Sequence, residues 1–387
     1  MRLIIYDPML KEAYGHHLPV TKFIYDEGMR RGFDVVVFAH KELPIYATRM
    51  PFRRECRSEF YTWFEEDEAL KGMLLYTKEN AIIQQDLCRL LNPQELSDGD
   101  TVVMHTFLNE HLLGLLDWFE RVEARIKLRL FTYFPPWRAG LLQRELAEPL
   151  ARYVLNRWHR TRGDVKFFTE NSDLAEVMSS VSPVPFHVIP PPVDFAGTKP
   201  APRRARKDGG FIWIYPGEAR WEKGIRFLPE VWKLHRERFP SDIIKVQYLG
   251  FEKALLGELG GVENGVKVVP RALHGAEYFA HLASGDFVLF PYEPVEYRYR
   301  MSHLVIETLS MGRPIVATGG TWQEREALSY GPPAGIGMRE WSVDGLLLGM
   351  AEARRNAEQL QTAAEEVAPL VRAKYEHKKF FEEFVLS

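Results

Sequence analysis

The stretch RMSHLVIETLSMGRPIVAT, residues 300–318, joins a predicted helix to a predicted buried strand, and this step decides the fold. Apolar side chains recur through its first half at helical spacing, and Gly312 and Pro314 then end the helix. The short apolar run of residues 315–317 follows directly, as in strands that are buried on both faces of a sheet. The stretch therefore predicts one helix–strand step of a parallel α/β sheet.

The same alternation of apolar strands and amphipathic helices runs through both halves of the 387-residue chain. The strand-like segments are RLIIYD, DVVVFA, TVVMHTF, IKLRLFTYF and VKFFTE in the first half, and FIWIYPG, IIKVQYLG, GVKVVP and DFVLFPY in the second. Between the halves, residues 188–210 are rich in Pro, Gly and basic side chains, which interrupt regular structure.

We therefore predict an α/β protein with two Rossmann-like, doubly wound domains that face an interdomain cleft. The predicted N-terminal domain covers residues 1–190, the linker 191–209 and the C-terminal domain 210–368, and residues 369–387 form a helix that packs back on the N-terminal domain. Because ligands of open α/β sheets bind beyond the carboxyl ends of the strands, a site is expected in the loops that follow them.

Composition limits the classes of function. Hydrophobic residues make up 46% and charged residues 27%, as in soluble globular proteins, and the net charge of −3 argues against a nucleic-acid partner. Cys56 and Cys88 are too few for a disulfide framework or a cysteine-based zinc site. The sequence shows neither a secretory leader nor a run of about 20 apolar residues, so we predict a cytoplasmic protein.

Residues 137–162 carry apolar side chains at every fourth position, interleaved with arginines. Such a segment predicts either a basic amphipathic helix that rests on anionic lipid or a core-packed helix with a cationic outer face. We favour the core-packed helix, because Pro149 interrupts the pattern.

The segment YPGEARWEKGIRFLPEV, residues 215–231, is a candidate anion-binding loop. A strand ends at Gly217, and the polar loop after it carries Arg220 and Lys223. Such a loop directs two cations and free backbone N–H groups at a phosphate. A surface loop whose charges are merely solvated explains the same spacing equally well.

The helix of residues 300–311 provides a second candidate site. Ser302 stands near its N-terminus, where unpaired N–H groups and the helix dipole favour negative charge. Glu307 lies one to two turns further, and a carboxylate there suits a bidentate hydrogen bond to ribose hydroxyls. Taken alone, a glutamate in a helix is more commonly a solvated charge.

Together, GEARWEKG and PYEPVEYRYRMSHLVIETLSMGRPIVAT resemble the nucleotide-sugar half of the retaining GT-B glycosyltransferases of the GT4 type (glycosyl transferases group 1). The similarity covers roughly residues 210–325, and residues 167–195 resemble the passage into the family's linker. The resemblance implies a hexosyltransferase that moves a sugar, with retention, from a UDP- or GDP-sugar to a hydroxyl of a glycan or lipid-linked glycan. The resemblance also implies a role in polysaccharide or glycoconjugate biosynthesis, with no cofactor and no obligatory metal. If residues 137–162 form the lipid-binding helix, peripheral contact with the inner face of a membrane is expected as well.

The resemblance also implies roles for individual residues. Arg220 and Lys223 would neutralise the diphosphate, where charge develops as the glycosyl–phosphate bond breaks, and His105 would stand beside the reaction centre. Glu307 would hold the ribose, and His16 would lie on the acceptor side. The other residues expected on the donor side are Gly15, Gly217, Tyr292, Glu296, Tyr299, Ser302, His303 and Leu304.

Two departures leave alternatives open. The family's second glutamate falls on Tyr299, so either Glu296 replaces it or the donor sugar is read differently. The arginine that the family usually carries directly after the glycine is Glu218 here, so Arg220 would take that role from a shifted position. Besides these departures, His105 is nearly as well explained as a structural histidine. The competing functions are a nucleotide-sugar epimerase or hydrolase on the same fold, and a catalytically silent nucleotide- or glycan-binding protein. A nicotinamide dehydrogenase is not favoured, because the first strand of neither predicted domain is followed by G-x-G-x-x-G.

Overall fold

The computed structural model divides the chain into two compact units, Met1–Pro192 with His377–Ser387, and Val193–Glu376. It describes residues 1–12, 17–44, 50–58, 69–137, 143–195, 208–247, 258–271, 273 and 275–387. Most of the predicted linker, and the candidate residues Gly15 and His16, lie outside the described residues.

The first unit contains a parallel sheet with the order β3-β2-β1-β4-β5-β6-β7. Its strands are β1 (Arg2–Asp7), β2 (Asp34–His40), β3 (Phe52–Cys56), β4 (Thr101–Met104), β5 (Lys127–Thr132), β6 (Asp164–Thr169) and β7 (Phe186–Val188). Its helices are α1 (His17–Arg30), α2 (Ala69–Leu90), α3 (Asn109–Phe119), α4 (Arg144–Arg160) and α5 (Ser172–Val181).

The second unit contains a parallel sheet with the order β10-β9-β8-β11-β12-β13. Its strands are β8 (Ile212–Tyr215), β9 (Ile243–Gln247), β10 (Val266–Val269), β11 (Phe287–Phe290), β12 (Ile315–Thr318) and β13 (Gly335–Met338). Its helices are α6 (Leu228–Arg238), α7 (Gly275–Ala283), α8 (His303–Ser310), α9 (Trp322–Leu328), α10 (Val343–Arg355) and α11 (Ala357–Lys374).

The helix–strand step of residues 300–318 has the predicted form. Helix α8 buries Val305, Ile306 and Leu309, and Gly312 then adopts a left-handed backbone with φ of +69°. Strand β12 follows with all four of its residues buried. The prediction of an α/β protein with two Rossmann-like domains is confirmed.

Strand order reverses at one point in each sheet. In the first sheet β1 lies between β2 and β4, and in the second β8 lies between β9 and β11. The connections that leave the carboxyl ends of such a strand pair run to opposite faces and open a crevice between them, which is where open α/β sheets bind ligands. Ligand-binding residues are therefore expected in the loops after β1 and β4 and in those after β8 and β11.

The end of the chain is shared between the two units. Helix α11 continues past the predicted boundary at residue 369 as far as Lys374, because Ala364, Val367 and Val371 are buried in the core of the second unit. From His377 the chain belongs to the first unit, where it forms a short helix, α12 (His377–Phe381), followed by one turn of π-helix, the π turn (Glu382–Leu386).

Helix α4 packs its apolar face inward. Ala147, Ala151, Val154 and Trp158 are buried, while its basic residues face outward, which is the arrangement of a core-packed helix with a cationic outer face. Among the helices that the structure describes, none has the length and apolar composition needed to cross a bilayer.

Candidate functional site

The glycine loop after β8 closes onto the first turn of α8. Gly217 has a left-handed φ of +79°, and its N–H donates to Oε1 of Gln247 at 3.2 Å. A Cβ atom at Gly217 would lie 2.9 Å from Cδ1 of Leu304 and 3.8 Å from Nζ of Lys223. Both backbone conformation and space therefore require glycine here, and the two predicted motifs meet at this position.

Lys223 is the buried cation of this loop. Lys223 is only 8% exposed, and its backbone carbonyl accepts a hydrogen bond from the Tyr215 hydroxyl at 3.0 Å. Burial, with Arg220 and Arg300 nearby, lowers the pKa of Lys223 to about 7. Within the described parts of the chain, no carboxylate forms an ion pair with its ammonium group. Because a buried ammonium without a counter-ion is unfavourable, an anionic ligand would stabilise it.

Arg220 lies at the start of the same short turn and is held by its neighbours. Its guanidinium forms ion pairs with Glu222 at 3.1 Å and with Glu218 at 3.5 Å, and it donates to the Tyr297 hydroxyl at 3.3 Å. Glu218, which directly follows Gly217, is thus one of two acidic residues that pair with the guanidinium of Arg220.

The first turn of α8 supplies polar groups beside the glycine loop. Ser302 is the N-cap residue and His303 opens the helix. Burial lowers the pKa of His303 to about 4, so the imidazole is neutral at pH 7. The helix N-terminus suits a ligand that carries negative charge, whereas the neutral imidazole can contribute only one N–H donor.

Glu307 lies further along α8 and is bound by a residue that the sequence analysis missed. The Tyr278 hydroxyl, on α7, donates to Oε2 of Glu307 at 2.6 Å. Burial raises the pKa of Glu307 to about 7; the Tyr278 hydrogen bond opposes this shift, and the Asp194 carboxylate adds to it. The one available signal for Tyr278 was an aromatic residue in a helix after a strand, which is too common to single out.

The other predicted donor-side residues lie on the loop after β11. Tyr292 is fully buried, with its ring 4.4 Å from that of Tyr297 and 5.8 Å from Nζ of Lys223. Glu296 donates its backbone N–H to the Glu293 carboxylate at 2.5 Å. Tyr299 is half-buried. Tyr292 thus forms a wall beside Lys223, and Glu296 and Tyr299 stand on the loop that continues from it.

A second polar cluster lies at the switch point of the first sheet. Asp7 ends β1, His17 begins α1, and His105 follows β4. Nδ1 of His17 lies 3.0 Å from Oδ1 of Asp7, and Nε2 of His105 lies 2.9 Å from Oδ2. The Thr21 hydroxyl donates to Oδ2 of Asp7 at 3.0 Å. Burial alone would raise the pKa of Asp7, but the two histidines hold it well below its usual range.

His105 is therefore a fully buried member of a hydrogen-bonded cluster. His105 was predicted as a site residue from the sequence, whereas Asp7 and His17 were not. A possible signal was present, since Asp7 is the last residue of a predicted strand and polar residues at carboxyl strand ends commonly form sites.

No family model matches the chain, and no curated protein matches it either. Several solved structures do match the chain. Sucrose-phosphate synthase from Thermosynechococcus elongatus superposes with a TM-score of 0.68 at 13% identity, covering 98% of this chain and 96% of that one. A glycosyltransferase from Rickettsia africae gives 0.67 at 12% identity, covering 99% and 97%. HepE of Anabaena in complex with UDP gives 0.64 at 15% identity, covering 99% and 98%.

The chain has the GT-B fold. At these identities the likeness concerns the fold alone, and the chemistry of this chain rests on its own residues. Around the carboxyl edge of the second sheet of this GT-B protein, the structure gathers Gly217, Arg220, Lys223 and Leu304, with Glu307 on the same helix as Leu304. Cations and a helix N-terminus at one edge can bind a phosphate-containing ligand, and Glu307 offers a carboxylate for hydroxyl groups.

Proposed function

We propose that this protein is a retaining, GT4-like glycosyltransferase that moves a hexosyl group from a UDP- or GDP-sugar to a hydroxyl of a glycan or lipid-linked glycan. The observation that carries the proposal is the buried ammonium of Lys223, which lacks a carboxylate partner in the described residues and lies beside Arg220 and the Gly217 loop. HepE of Anabaena has been solved with UDP-glucose, and the same fold here makes a nucleotide sugar the natural anion to propose.

In this proposal Lys223 and Arg220 bind the diphosphate of the donor. When the glycosyl–phosphate bond breaks, the nucleoside diphosphate leaves with additional negative charge, and fixed cations stabilise that charge in the transition state. Glu222 and Glu218 hold the guanidinium of Arg220 in place, so little reorganisation is needed. We therefore propose that transfer needs no metal ion for the diphosphate.

The remaining donor contacts follow the same proposal. Glu307 accepts hydrogen bonds from the ribose hydroxyls, and Tyr278 orients its carboxylate. The backbone of Ser302, His303 and Leu304 contacts the phosphates or ribose. For Glu296 and Tyr299, we propose contact with the donor sugar. His105 is buried and hydrogen-bonded to Asp7, and we propose that it stands beside the reaction centre.

We also propose that the acceptor binds to the first unit. The residues after β1, including His16, would face a glycan acceptor. Because the outer face of α4 carries Arg144, Arg152 and Arg160, an anionic membrane surface would attract it, and we propose a cytoplasmic protein with peripheral contact at the inner face of the membrane.

A second candidate function is a catalytically silent nucleotide- or glycan-binding protein. The observation that favours it is Tyr299, which stands where the GT4 family carries a glutamate for the donor sugar. Calorimetric titration with UDP and GDP, followed by turnover of radiolabelled UDP- and GDP-sugars with and without glycan acceptors, separates the two functions. Transfer is expected, while binding without turnover would favour the silent protein. If neither nucleotide binds and Glu307→Ala changes nothing, the proposed function is wrong.

The affinity for the donor is expected to be highest near pH 7 and to fall on both sides. Lys223, with a pKa of about 7, is protonated below that pH and loses its charge above it. Glu307, also with a pKa of about 7, is ionised above that pH and neutral below it. The binding form carries both charges, so its population is greatest where the two titrations cross.

Calorimetry with an intact nucleotide sugar between about pH 5 and pH 9 tests this profile, since its diphosphate does not titrate there. Lys223→Arg is expected to remove the alkaline limb, because arginine stays charged, and Glu307→Gln to remove the acidic limb. A flat wild-type profile would contradict the assignment of these two groups.

A further inference from the structure

We propose that Asp7, His17 and His105 form a binding site for a divalent transition-metal ion of the zinc class. The site goes beyond the proposed function, which uses no metal ion, and it lies in the first unit. Three separate elements supply the ligands, namely the last residue of β1, the first residue of α1 and the residue after β4.

The ligand atoms converge on one point. One ligand atom from each residue can be chosen so that all three lie within 4.8 Å of one another. The two histidine nitrogens lie 3.0 Å and 2.9 Å from the oxygens of Asp7. With zinc–ligand bonds of about 2.0–2.1 Å, neighbouring atoms of a tetrahedral site are about 3.3 Å apart. The two separations that involve Asp7 are close to this spacing, and the separation between the two imidazole nitrogens, which is at most 4.8 Å, has to shorten by up to about 1.5 Å for one metal ion to bind both.

Nε2 is the nitrogen of His105 that faces Asp7, at 2.9 Å from Oδ2. Because the Thr21 hydroxyl donates to Oδ2 of Asp7, its oxygen, 2.7 Å from Nε2, accepts the Nε2–H when no metal ion is bound. A metal ion at Nε2 takes the place of that proton, and the ring then carries its proton on Nδ1, where the Thr106 hydroxyl lies 3.4 Å away and can accept it.

The Thr21 hydroxyl completes the surroundings. It lies 3.0 Å from Oδ2 of Asp7 and 2.7 Å from Nε2 of His105. Metal-ligating carboxylates are commonly hydrogen-bonded by an outer group of this kind, which fixes their orientation. Because β1 and β4 are paired neighbours, Asp7 and His105 are also held by the sheet.

The charge of Asp7 and the types of ligand at the site agree with an ion of this class. The carboxylate of Asp7 is 1% exposed, and a buried negative charge requires a positive partner. Two imidazoles and one carboxylate suit Zn²⁺ or Co²⁺, whereas Mg²⁺ and Ca²⁺ prefer oxygen ligands. The side chain of His17 is 9% exposed, which makes it the most accessible of the three ligands.

Cobalt titration of the untagged, chelator-stripped, full-length protein tests the site. One equivalent of Co²⁺ is expected to give visible ligand-field absorption, and Zn²⁺ should abolish it by displacement. His17→Gln and His105→Gln should each weaken binding by about 100-fold or more, since a removed ligand costs at least as much as a removed outer partner. The matched control is His159→Gln on the exposed face of α4, which should bind as the wild type does.

Two results would overturn the site: no stoichiometric cobalt spectrum, or a spectrum that neither His17→Gln nor His105→Gln changes. Circular dichroism and thermal melts identify any variant that fails to fold. X-ray absorption at the zinc edge of the wild-type complex then decides without variants, since two imidazole ligands are expected and none, one or four would reject the proposal. No nucleotide sugar enters these measurements, so they are independent of the transferase assays.

Discussion

Replacing Lys223 with glutamine is expected to lower the rate of sugar transfer by about 100- to 1000-fold, the loss typical of removing one preorganised group that stabilises transition-state charge. The ammonium group is buried beside Tyr292 and Gly217, where the local dielectric is low and its interaction with a leaving diphosphate is strong. Because the charge of the donor increases as the bond breaks, kcat should fall more than the donor affinity does.

Steady-state kinetics with the donor that supports turnover, together with calorimetry of the nucleoside diphosphate, measures both effects. Lys233→Gln is the matched control, since Lys233 is exposed on α6 of the same unit. The control should behave as the wild type does. If Lys223→Gln retains the wild-type kcat, the diphosphate does not rest on this ammonium group, and the assignment of the glycine loop is wrong.

The fold was predictable because its signals are local. The strand-like runs, the glycine–proline end of α8 and the glycine at the end of β8 each lie within one short stretch of sequence. Arg220, Lys223 and Glu307 could be predicted as site residues for the same reason, since each stands in a contiguous motif. The structure adds the contact between Gly217 and Leu304, which brings the two motifs together.

The partners of these residues could not be found from the sequence. Tyr278 reaches Glu307 from another helix, and Asp7 meets His105 only because β1 pairs with β4. Neither contact follows from residue spacing, since each depends on strand order and on side-chain direction. The end of α11 was not predicted either: the sequence suggested a boundary at residue 369, whereas the buried face of this helix continues to Val371 and the helix to Lys374.

Replacing Phe384 with alanine is expected to destabilise the first unit by about 3–5 kcal/mol, the usual cost of truncating a buried phenylalanine. Phe384 is fully buried in the π turn that follows α12, and its ring lies 5.8 Å from that of Phe131, 5.2 Å from Phe168 and 5.1 Å from Phe380. Phe131 and Phe168 belong to β5 and β6. The last residues of the chain are therefore part of the core of the first unit, and their loss would leave a cavity against its sheet.

Urea unfolding followed by circular dichroism measures the change, and hydrogen exchange assigns it to the strands of the first unit. Phe384→Leu should cost less than alanine, because leucine fills most of the space, and Lys379→Ala on the exposed side of α12 should be near neutral. Deleting residues 377–387 should remove Phe380, Phe381 and Phe384 together and expose apolar surface on β5 and β6. An unchanged unfolding midpoint in Phe384→Ala, or exchange that increases only in the second unit, would mean that the segment does not stabilise the first unit.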